Sequence, residues 1–214
     1  MLGREFFARE VLDVAPDLLG CVLVHEAGGG AVAVEIVEVE AYRGESDPAS
    51  HAFRGRTARN AVMYGEPGHA YVYFTYGMHF CVNLVCQPPG EPAAVLIRAG
   101  RVVEGAALAD ARRAGGSGRG VSERDLARGP ARLCQALAIG RAQNGADVCD
   151  RAGALRVLGP GGPGGPAEAG SVSVGTGPRV GVRNGAQEPW RFWVAGSDAV
   201  SAYRPYVQRR RSGR

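Results

Sequence analysis

The sequence predicts an α+β (mixed α/β) fold, formed by a single domain over residues 1–214 and built on an antiparallel or mixed β-sheet. Three observations lead to this prediction. Several short runs are rich in β-branched and aromatic residues, as strands are. The 33 glycines and 13 prolines indicate many turns rather than a helical bundle. A hydrophobic content of 45% in a chain of 214 residues is enough for a sizeable core.

Two apolar runs predict strands of the sheet interior. Residues 31–39 read AVAVEIVEV, and residues 93–99 read AAVLIRA. Because side chains two residues apart on a strand share a face, Glu38 and Glu40 are expected side by side, with their Cα atoms about 6.5–7 Å apart.

A β-hairpin is predicted between these strands. Residues 71–75 (YVYFT) and 78–84 (MHFCVNL) read as strands, and Tyr76 and Gly77 separate them. A glycine in so short a connection is typical of a hairpin turn.

The second half of the chain predicts one helix and two late strands. The helix begins at Pro130 after Gly129 and runs through Ala138, with Gly140 as its C-cap and with Leu133 and Leu137 on one face. Strands are expected at 179–183 and 190–194. Glycine-rich composition predicts flexible loops at 114–120 and 159–170, and the basic tail at 208–214 is expected to fray.

Charge and composition favour a nucleic-acid partner. The net charge is +4 and the pI is about 9.0. The excess is arginine, which binds phosphate through a planar, bidentate group. No signal peptide or transmembrane run is evident, so a cytoplasmic protein is expected.

The sequence predicts neither a metal nor a cofactor. The five cysteines form no CxxC pair and are interpreted as free thiols. The four histidines are scattered, and the ligand motif of zinc deaminases is absent. No glycine-rich nucleotide-binding motif is present either.

The hairpin tip allows two interpretations. Tyr76, Gly77 and Met78 place apolar side chains where a turn is normally polar. Either the tip folds back under a loop and belongs to the core, or it is a wedge that unstacks a base step of DNA.

The carboxylates of the first strand also allow two interpretations. Glu35, Glu38 and Glu40 lie in or just after an apolar run, where a charge is costly unless it is exposed or paired. They form an exposed acidic face, or one of them is a general base in a pocket. Spacing does not decide which carboxylate that would be.

Taken together, these segments resemble the alkyladenine (3-methyladenine) DNA glycosylase family, the methylpurine-DNA glycosylase type. The resemblance covers nearly all of the chain outside the glycine-rich loops. The matching stretches are DLLGCVLVH (17–25), VEVEAYRG (37–44), DPASHAFRG (47–55), PGHAYVYFTYGMHFCVNLV (67–85), AAVLIRAGRVVEG (93–105), DLARGPARLCQALAI (125–139), PRVGV (178–182) and PWRFWVAGS (189–197).

The resemblance implies a catalytic group and a curved, largely antiparallel sheet with surrounding helices and a protruding hairpin. Glu40, the glutamate of EAY, would position and deprotonate the attacking water. Arg98 and the backbone carbonyl of Val180 would help to hold that water.

The resemblance also implies how the substrate is held. Tyr42, His51 and Tyr73 would line a pocket for the flipped base, and Asn83 would clash with the 2-amino group of normal guanine. At the hairpin tip, Tyr76 would be the residue that intercalates into the duplex, with Met78 beside it.

The implied activity is base excision without metal or cofactor. The protein would be a monomer associated with the nucleoid. It would bind double-stranded DNA that contains damaged purines and hydrolyse the N-glycosidic bond between the damaged base and its sugar. A 3-methyl- or 7-methylpurine is cationic and leaves readily, whereas neutral lesions such as hypoxanthine and ethenoadenine leave less readily. The motifs contain no lysine that could form a Schiff base with the sugar, so a lyase step is not expected.

Two other functions remain open from the residues alone. A non-catalytic module would stack bases on Tyr71, Tyr73 and Tyr76 and would not depend on Glu40. A hydrolase of small glycosides or nucleosides would use Glu38 and Glu40 as a pair, and would leave the hairpin tip without a role.

Overall fold

The computed structural model describes residues 1–75, 77–115, 120–162 and 172–208. Within these ranges, eight strands form one sheet: β1 (Val22–Ala27), β2 (Gly30–Tyr42), β3 (Ala70–Thr75), β4 (His79–Cys86), β5 (Ala93–Glu104), β6 (Leu155–Leu158), β7 (Val174–Gly177) and β8 (Arg191–Val194). The α-helices are α1 (Arg4–Phe7), α2 (Val11–Asp17), α3 (Ala106–Ala114) and α4 (Pro130–Ala136). Short 3₁₀ turns lie at Gly44–Ser46, Ala61–Tyr64, Glu123–Asp125 and Arg141–Gln143.

The sheet is antiparallel and curls into a half-barrel, which confirms the predicted fold class. Its strand order is β3-β4-β5-β2-β1-β6. The long strand β2 is central: one edge pairs with β5, and the other pairs first with β1 and then, at Glu38–Glu40, with β8. The end of β2 is therefore enclosed between two strands that lie far from it in sequence.

The two faces of the sheet have different roles because side chains alternate along each strand. Val39 and Ala41 on β2 belong to the main apolar core, as do Leu84 and Ile97 on β4 and β5. Helices α2 and α4 pack against this face. Glu38 and Glu40 have the opposite parity and point away from the main core.

The predicted strands at 31–39 and 93–99 are observed, and both are longer than expected. The hairpin is also observed, but its connection is longer. Thr75 pairs with His79, so the connection comprises residues 76–78 and Met78 lies in it rather than in a strand. Tyr76 lies outside the described residues.

Two expectations for the second half of the chain are wrong. Residues 179–183 form a turn rather than a strand, because Gly181 has φ of +68° and the Arg179 side chain is directed into the protein. The helix begins at Pro130 as predicted but ends at Ala136, since Ala138 has a positive φ of +54°. Gly140, at φ −141°, begins the next 3₁₀ turn and does not cap the helix.

Most of the predicted flexible segments lie outside the described ranges, namely 116–119, 163–171 and 209–214. Helices α1 to α3 were not evident from the sequence. Of the helices in the described ranges, none has the length and apolar composition that a bilayer span requires.

Candidate active site

A row of residues crosses four strands on the face opposite the main core. Tyr71 on β3 pairs with Asn83 on β4, Asn83 pairs with Leu96 on β5, and Leu96 pairs with Glu40 on β2. Directly paired residues point to the same side of a sheet, and Tyr73, two residues after Tyr71, shares that side. The register therefore gathers these predicted site residues on one surface.

A pair of register shifts in β2 and β5 brings Arg98 to the same place. Glu38 pairs with Ala99 whereas Val39 pairs with Ile97, so Arg98 has no partner on β2. An extra residue of this kind forms a β-bulge, which redirects a side chain and bends the strand. The guanidinium of Arg98 contacts both Glu38 and Glu40, through Nε at 3.1 Å and Nη1 at 3.3 Å.

The carboxylate of Glu40 is fully buried and accepts three hydrogen bonds. The backbone amide of Val180 donates to Oε1 at 2.6 Å, while the Tyr42 hydroxyl at 2.8 Å and Arg98 at 3.3 Å donate to Oε2. A carboxylate can accept about four hydrogen bonds. One acceptor position is therefore left on Glu40.

Glu38 is equally buried and accepts four hydrogen bonds, three on Oε1 and one on Oε2. Arg98, Arg191 and the Ser201 hydroxyl donate to Oε1 at 3.1, 3.2 and 3.0 Å, and the Ser201 amide donates to Oε2 at 2.7 Å. The interpretation of Glu38 and Glu40 as an exposed acidic face is therefore wrong. Their environments differ, because Glu40 accepts fewer hydrogen bonds and one of its donors, Tyr42, lines the aromatic pocket, whereas no donor to Glu38 does.

The charge of Arg98 is secured by its neighbours. Burial opposes the cation, but Glu40 and Glu38 outweigh that effect and hold the pKa of Arg98 above its ordinary value. Two carboxylates and one guanidinium thus form a buried cluster. Arg191 adds a second cation through its contact with Glu38.

Tyr42 connects this cluster to an open pocket. Its hydroxyl donates to Glu40, and its ring lines a pocket of about 60 Å³ together with Ala49, His51, Tyr73 and Asn83. All four predicted base-binding residues therefore line a single pocket, with Glu40 immediately behind one wall.

The pocket side chains are neutral donors and acceptors at neutral pH. Burial raises the pKa of Tyr42, and the nearby Glu40 charge raises it further. Burial also raises the pKa of Tyr73. The exposed His51 has a lowered pKa because the surrounding protein desolvates its imidazolium and Arg59 repels it. Its Nδ1 lies 2.9 Å from the Tyr71 hydroxyl, and its ring meets Tyr73 edge-on at 4.5 Å.

The described residues of the hairpin tip, Gly77 and Met78, are exposed. The Met78 side chain is 67% exposed, and Phe74 packs against Phe80 near the end of β3. The interpretation in which the tip folds back into the core is wrong for Met78. Tyr76, the residue that the resemblance places in the duplex, lies outside the described residues.

Sequence reasoning missed an arginine that supports the back of the pocket. Arg179 is buried between the rings of Tyr42 and Trp190, at 4.7 and 4.9 Å from their centroids, and forms a bidentate ion pair with Asp47 at 2.5 and 2.9 Å. It also donates to the Ala41 carbonyl at 3.0 Å. No short-range pattern indicates a pair separated by 132 residues.

The expected free thiols are confirmed, since all five cysteines are unpaired. In the parts of the chain that the structure describes, no group of three or more His, Cys, Asp or Glu side chains is arranged to hold a metal ion.

The chain matches the methylpurine-DNA glycosylase family over residues 5–198. Curated relatives with high identity carry the name "Putative 3-methyladenine DNA glycosylase". One from Streptomyces avermitilis is 54% identical, over 98% of this chain and 95% of the relative. One from Leifsonia xyli is 54% identical, over 94% and 92%, and one from Methanocella arvoryzae is 47% identical, over 96% and 98%.

The family match spans the row of sheet residues, the pocket and the turn that binds Glu40. Identity near one half over almost the full length of each relative leaves no major part of the fold unaccounted for. The chain belongs to the methylpurine-DNA glycosylase family.

Proposed function

We propose that this protein removes alkylated purines from double-stranded DNA by flipping the damaged nucleotide and hydrolysing its N-glycosidic bond. A target bond inside a duplex is inaccessible, which is why such enzymes extrude the nucleotide. The observation that carries the proposal is the buried Glu40 carboxylate, with one unfilled acceptor position, behind the wall of an aromatic pocket.

Glu40 is the general base in this proposal. It accepts a proton from water while the water oxygen bonds to C1′ of the sugar, and the electrons of the broken C1′–N bond leave with the base. The carboxylate also stabilises the positive charge that develops on the sugar. Glu38 is less suited to this role because four hydrogen bonds from Arg98, Arg191 and Ser201 already hold it, and none of these residues lines the aromatic pocket.

Arg98 and the backbone carbonyl of Val180 complete the proposed water site. Arg98 donates to the Oε2 atom of Glu40, and the Val180 amide donates to Oε1, so both residues are adjacent to the base. Their second role is to keep the Glu40 carboxylate in one orientation, since a buried charge without partners would be strongly destabilising.

The proposed substrates are 3-methyladenine and 7-methylguanine, with hypoxanthine and ethenoadenine as further candidates. The curated relatives are named for 3-methyladenine, which supports the first. A methylated purine is cationic, so it leaves without a general acid. It also gains about 2 kcal/mol from a desolvated aromatic face, here that of Tyr42 or Tyr73.

The remaining pocket residues have proposed roles in selection. His51 and Asn83 present polar groups to the edge of the base, and Asn83 would clash with the 2-amino group of normal guanine. 7-Methylguanine carries the same group, but its cationic base leaves readily and offsets the clash. The amide nitrogen of Asn83 donates to the Tyr71 carbonyl at 3.0 Å, which fixes its orientation. Tyr76 and Met78 would fill the gap that the flipped nucleotide leaves.

The proposed enzyme is monofunctional. A lyase step proceeds through a Schiff base between an amine and the opened sugar. The 214 residues include no lysine, so the protein has no side-chain amine that could form this Schiff base. The expected product is an intact abasic site.

The experiment that tests this function compares three assays of the wild-type protein. Methylated duplex DNA should yield free 3-methyladenine and 7-methylguanine together with abasic sites, while methylated nucleosides should yield neither base at a comparable rate. Binding to duplex DNA without release would instead indicate a non-catalytic module. Release from nucleosides alone would indicate a small-glycoside hydrolase.

A further inference from the structure

A second cleft lies beside the Glu40 site and is lined by arginines. It measures about 530 Å³, and its walls include Arg124, Arg128, Arg132, Arg204 and Asp125. We refer to it as the arginine cleft.

The charges of the arginine cleft are organised but not neutralised. The Asp125 carboxylate lies 3.0 Å from Arg132, 3.6 Å from Arg124 and 3.7 Å from Arg128. One carboxylate thus holds three guanidinium groups together. A fifth arginine of the walls, Arg98, is paired with Glu38 and Glu40, and the other four arginines with the one aspartate carry a net charge of +3. Excess guanidinium groups in a concave surface suit an oxyanion, above all a phosphate.

The arginine cleft and the aromatic pocket lie on two sides of the same carboxylate. Arg98 and Val180 line the cleft and both donate to Glu40. Tyr42 lines the pocket and donates to Glu40 as well. A nucleotide whose base fills the pocket must therefore place its sugar near Glu40, and its phosphates extend from that sugar.

We propose that the arginine cleft binds the phosphates that flank the flipped nucleotide and so holds its sugar against Glu40. This inference rests on the proposed function and assigns a part of the substrate to residues for which the resemblance implied no role. Binding here would position C1′ for attack, because the base and the phosphates would both be fixed.

The four arginines differ in how freely they can bind a ligand. The Nε atom of Arg128 donates to the Val200 carbonyl at 2.8 Å, so its replacement would also disturb the chain near Ser201. Arg124 and Arg204 are exposed. They are the best positions for substitution, and Arg151, which is exposed and outside the cleft, provides the control.

The test uses a duplex that carries a tetrahydrofuran abasic-site analogue, which requires no chemistry. The variant Arg124→Gln/Arg204→Gln should bind it roughly tenfold or more weakly at low salt. The slope of log Kd against log salt should fall by about 2, since each lost phosphate contact removes about 0.9. Arg151→Gln should match the wild type in both measurements.

A second duplex locates the phosphates. Methylphosphonates at the two positions that flank the analogue remove those charges. They should weaken binding by the wild type more than binding by the double variant, because two of the four arginines of the cleft are already missing there. Equal losses for both proteins, or an unchanged salt slope in the variant, would overturn the inference. Failure of the proposed function would appear separately, as no base release from methylated duplex by the wild type.

Discussion

At the scale of single residues, Glu40 and Glu38 differ in their hydrogen-bond partners. Their spacing in the sequence does not predict those partners. The amide that binds Glu40 lies 140 positions away, and Ser201, which binds Glu38, lies 163 positions away. Alternation along the strand predicted that the two carboxylates share a face. The choice between them depends on hydrogen bonds from the distant C-terminal segments.

His51 provides a test of the pocket's electrostatics. We expect its titration midpoint to lie below the ordinary 6.5 because desolvation and Arg59 both disfavour the imidazolium. As the pH falls below 6.5, the unfolded chain takes up a proton that the folded protein refuses, so stability present above pH 6.5 is lost as the pH falls through the folded pKa. The midpoint can be measured from the imidazole resonances by NMR.

Two variants separate the two causes of this shift. Arg59→Gln should raise the midpoint and still leave it below 6.5, since desolvation is the larger cause. Arg54→Gln, a nearby exposed arginine, should leave it unchanged. A wild-type midpoint at or above 6.5 would contradict this description of the pocket.

At the scale of elements, strands with clear alternation were predictable and irregular segments were not. The run RVGVR at 179–183 has the alternation of a strand but forms a turn, because Arg179 is satisfied by a buried ion pair and Gly181 permits a positive φ. The bulge at Arg98 was equally hidden, since it depends on the register between β2 and β5. Both irregular segments contribute directly to the candidate site.

The ion pair between Asp47 and Arg179 should be essential to the stability of the fold around the turn at 179–183. Both side chains are fully buried. Asp47→Asn should lower the free energy of unfolding by about 3–5 kcal/mol, because it leaves a buried guanidinium without its counter-charge. Urea denaturation monitored by circular dichroism measures the change.

The surface pair between Arg9 and Asp17 is the control, because both side chains are more than one-third exposed. Asp17→Asn should cost less than about 1 kcal/mol. Similar small losses for both variants would show that the Asp47 pair does not support the fold.

The hairpin is the second element with a testable role. Met78→Ala and Tyr76→Ala should each reduce excision from duplex DNA more than excision from single strands. Only a duplex contains a stacked gap to fill, and stacking of this kind is worth about 1–3 kcal/mol per base, or roughly 5–150-fold. Single-turnover excision on the two substrates measures the difference.

Val103→Ala provides the matched control for the hairpin, because Val103 is an exposed apolar residue on β5. It should leave excision unchanged on both substrates. Equal losses on duplex and single strands from the hairpin variants would count against intercalation.

At the scale of the whole molecule, the sheet arranges the proposed DNA-binding features around the Glu40 carboxylate. The aromatic pocket and the arginine cleft are both lined by residues that donate to Glu40, and the hairpin tip follows Tyr73, which lines the pocket. The sequence predicted the α+β class and the hairpin from local patterns, and the resemblance named the pocket residues. Neither source indicated the arginine cleft, which combines the segment before α4 with the C-terminal residues near Ser201.

The central claim is that Glu40 is the base for hydrolysis, and one comparison tests it most directly. Single-turnover release of 7-methylguanine from duplex DNA should fall about 10²–10⁴-fold in Glu40→Gln, the range for a positioned general base. Affinity for the duplex with the abasic-site analogue should be retained. Glu35→Gln, on the same strand but paired with the exposed Arg101, should release base at the wild-type rate. Near-normal excision by a folded Glu40→Gln variant would contradict the account.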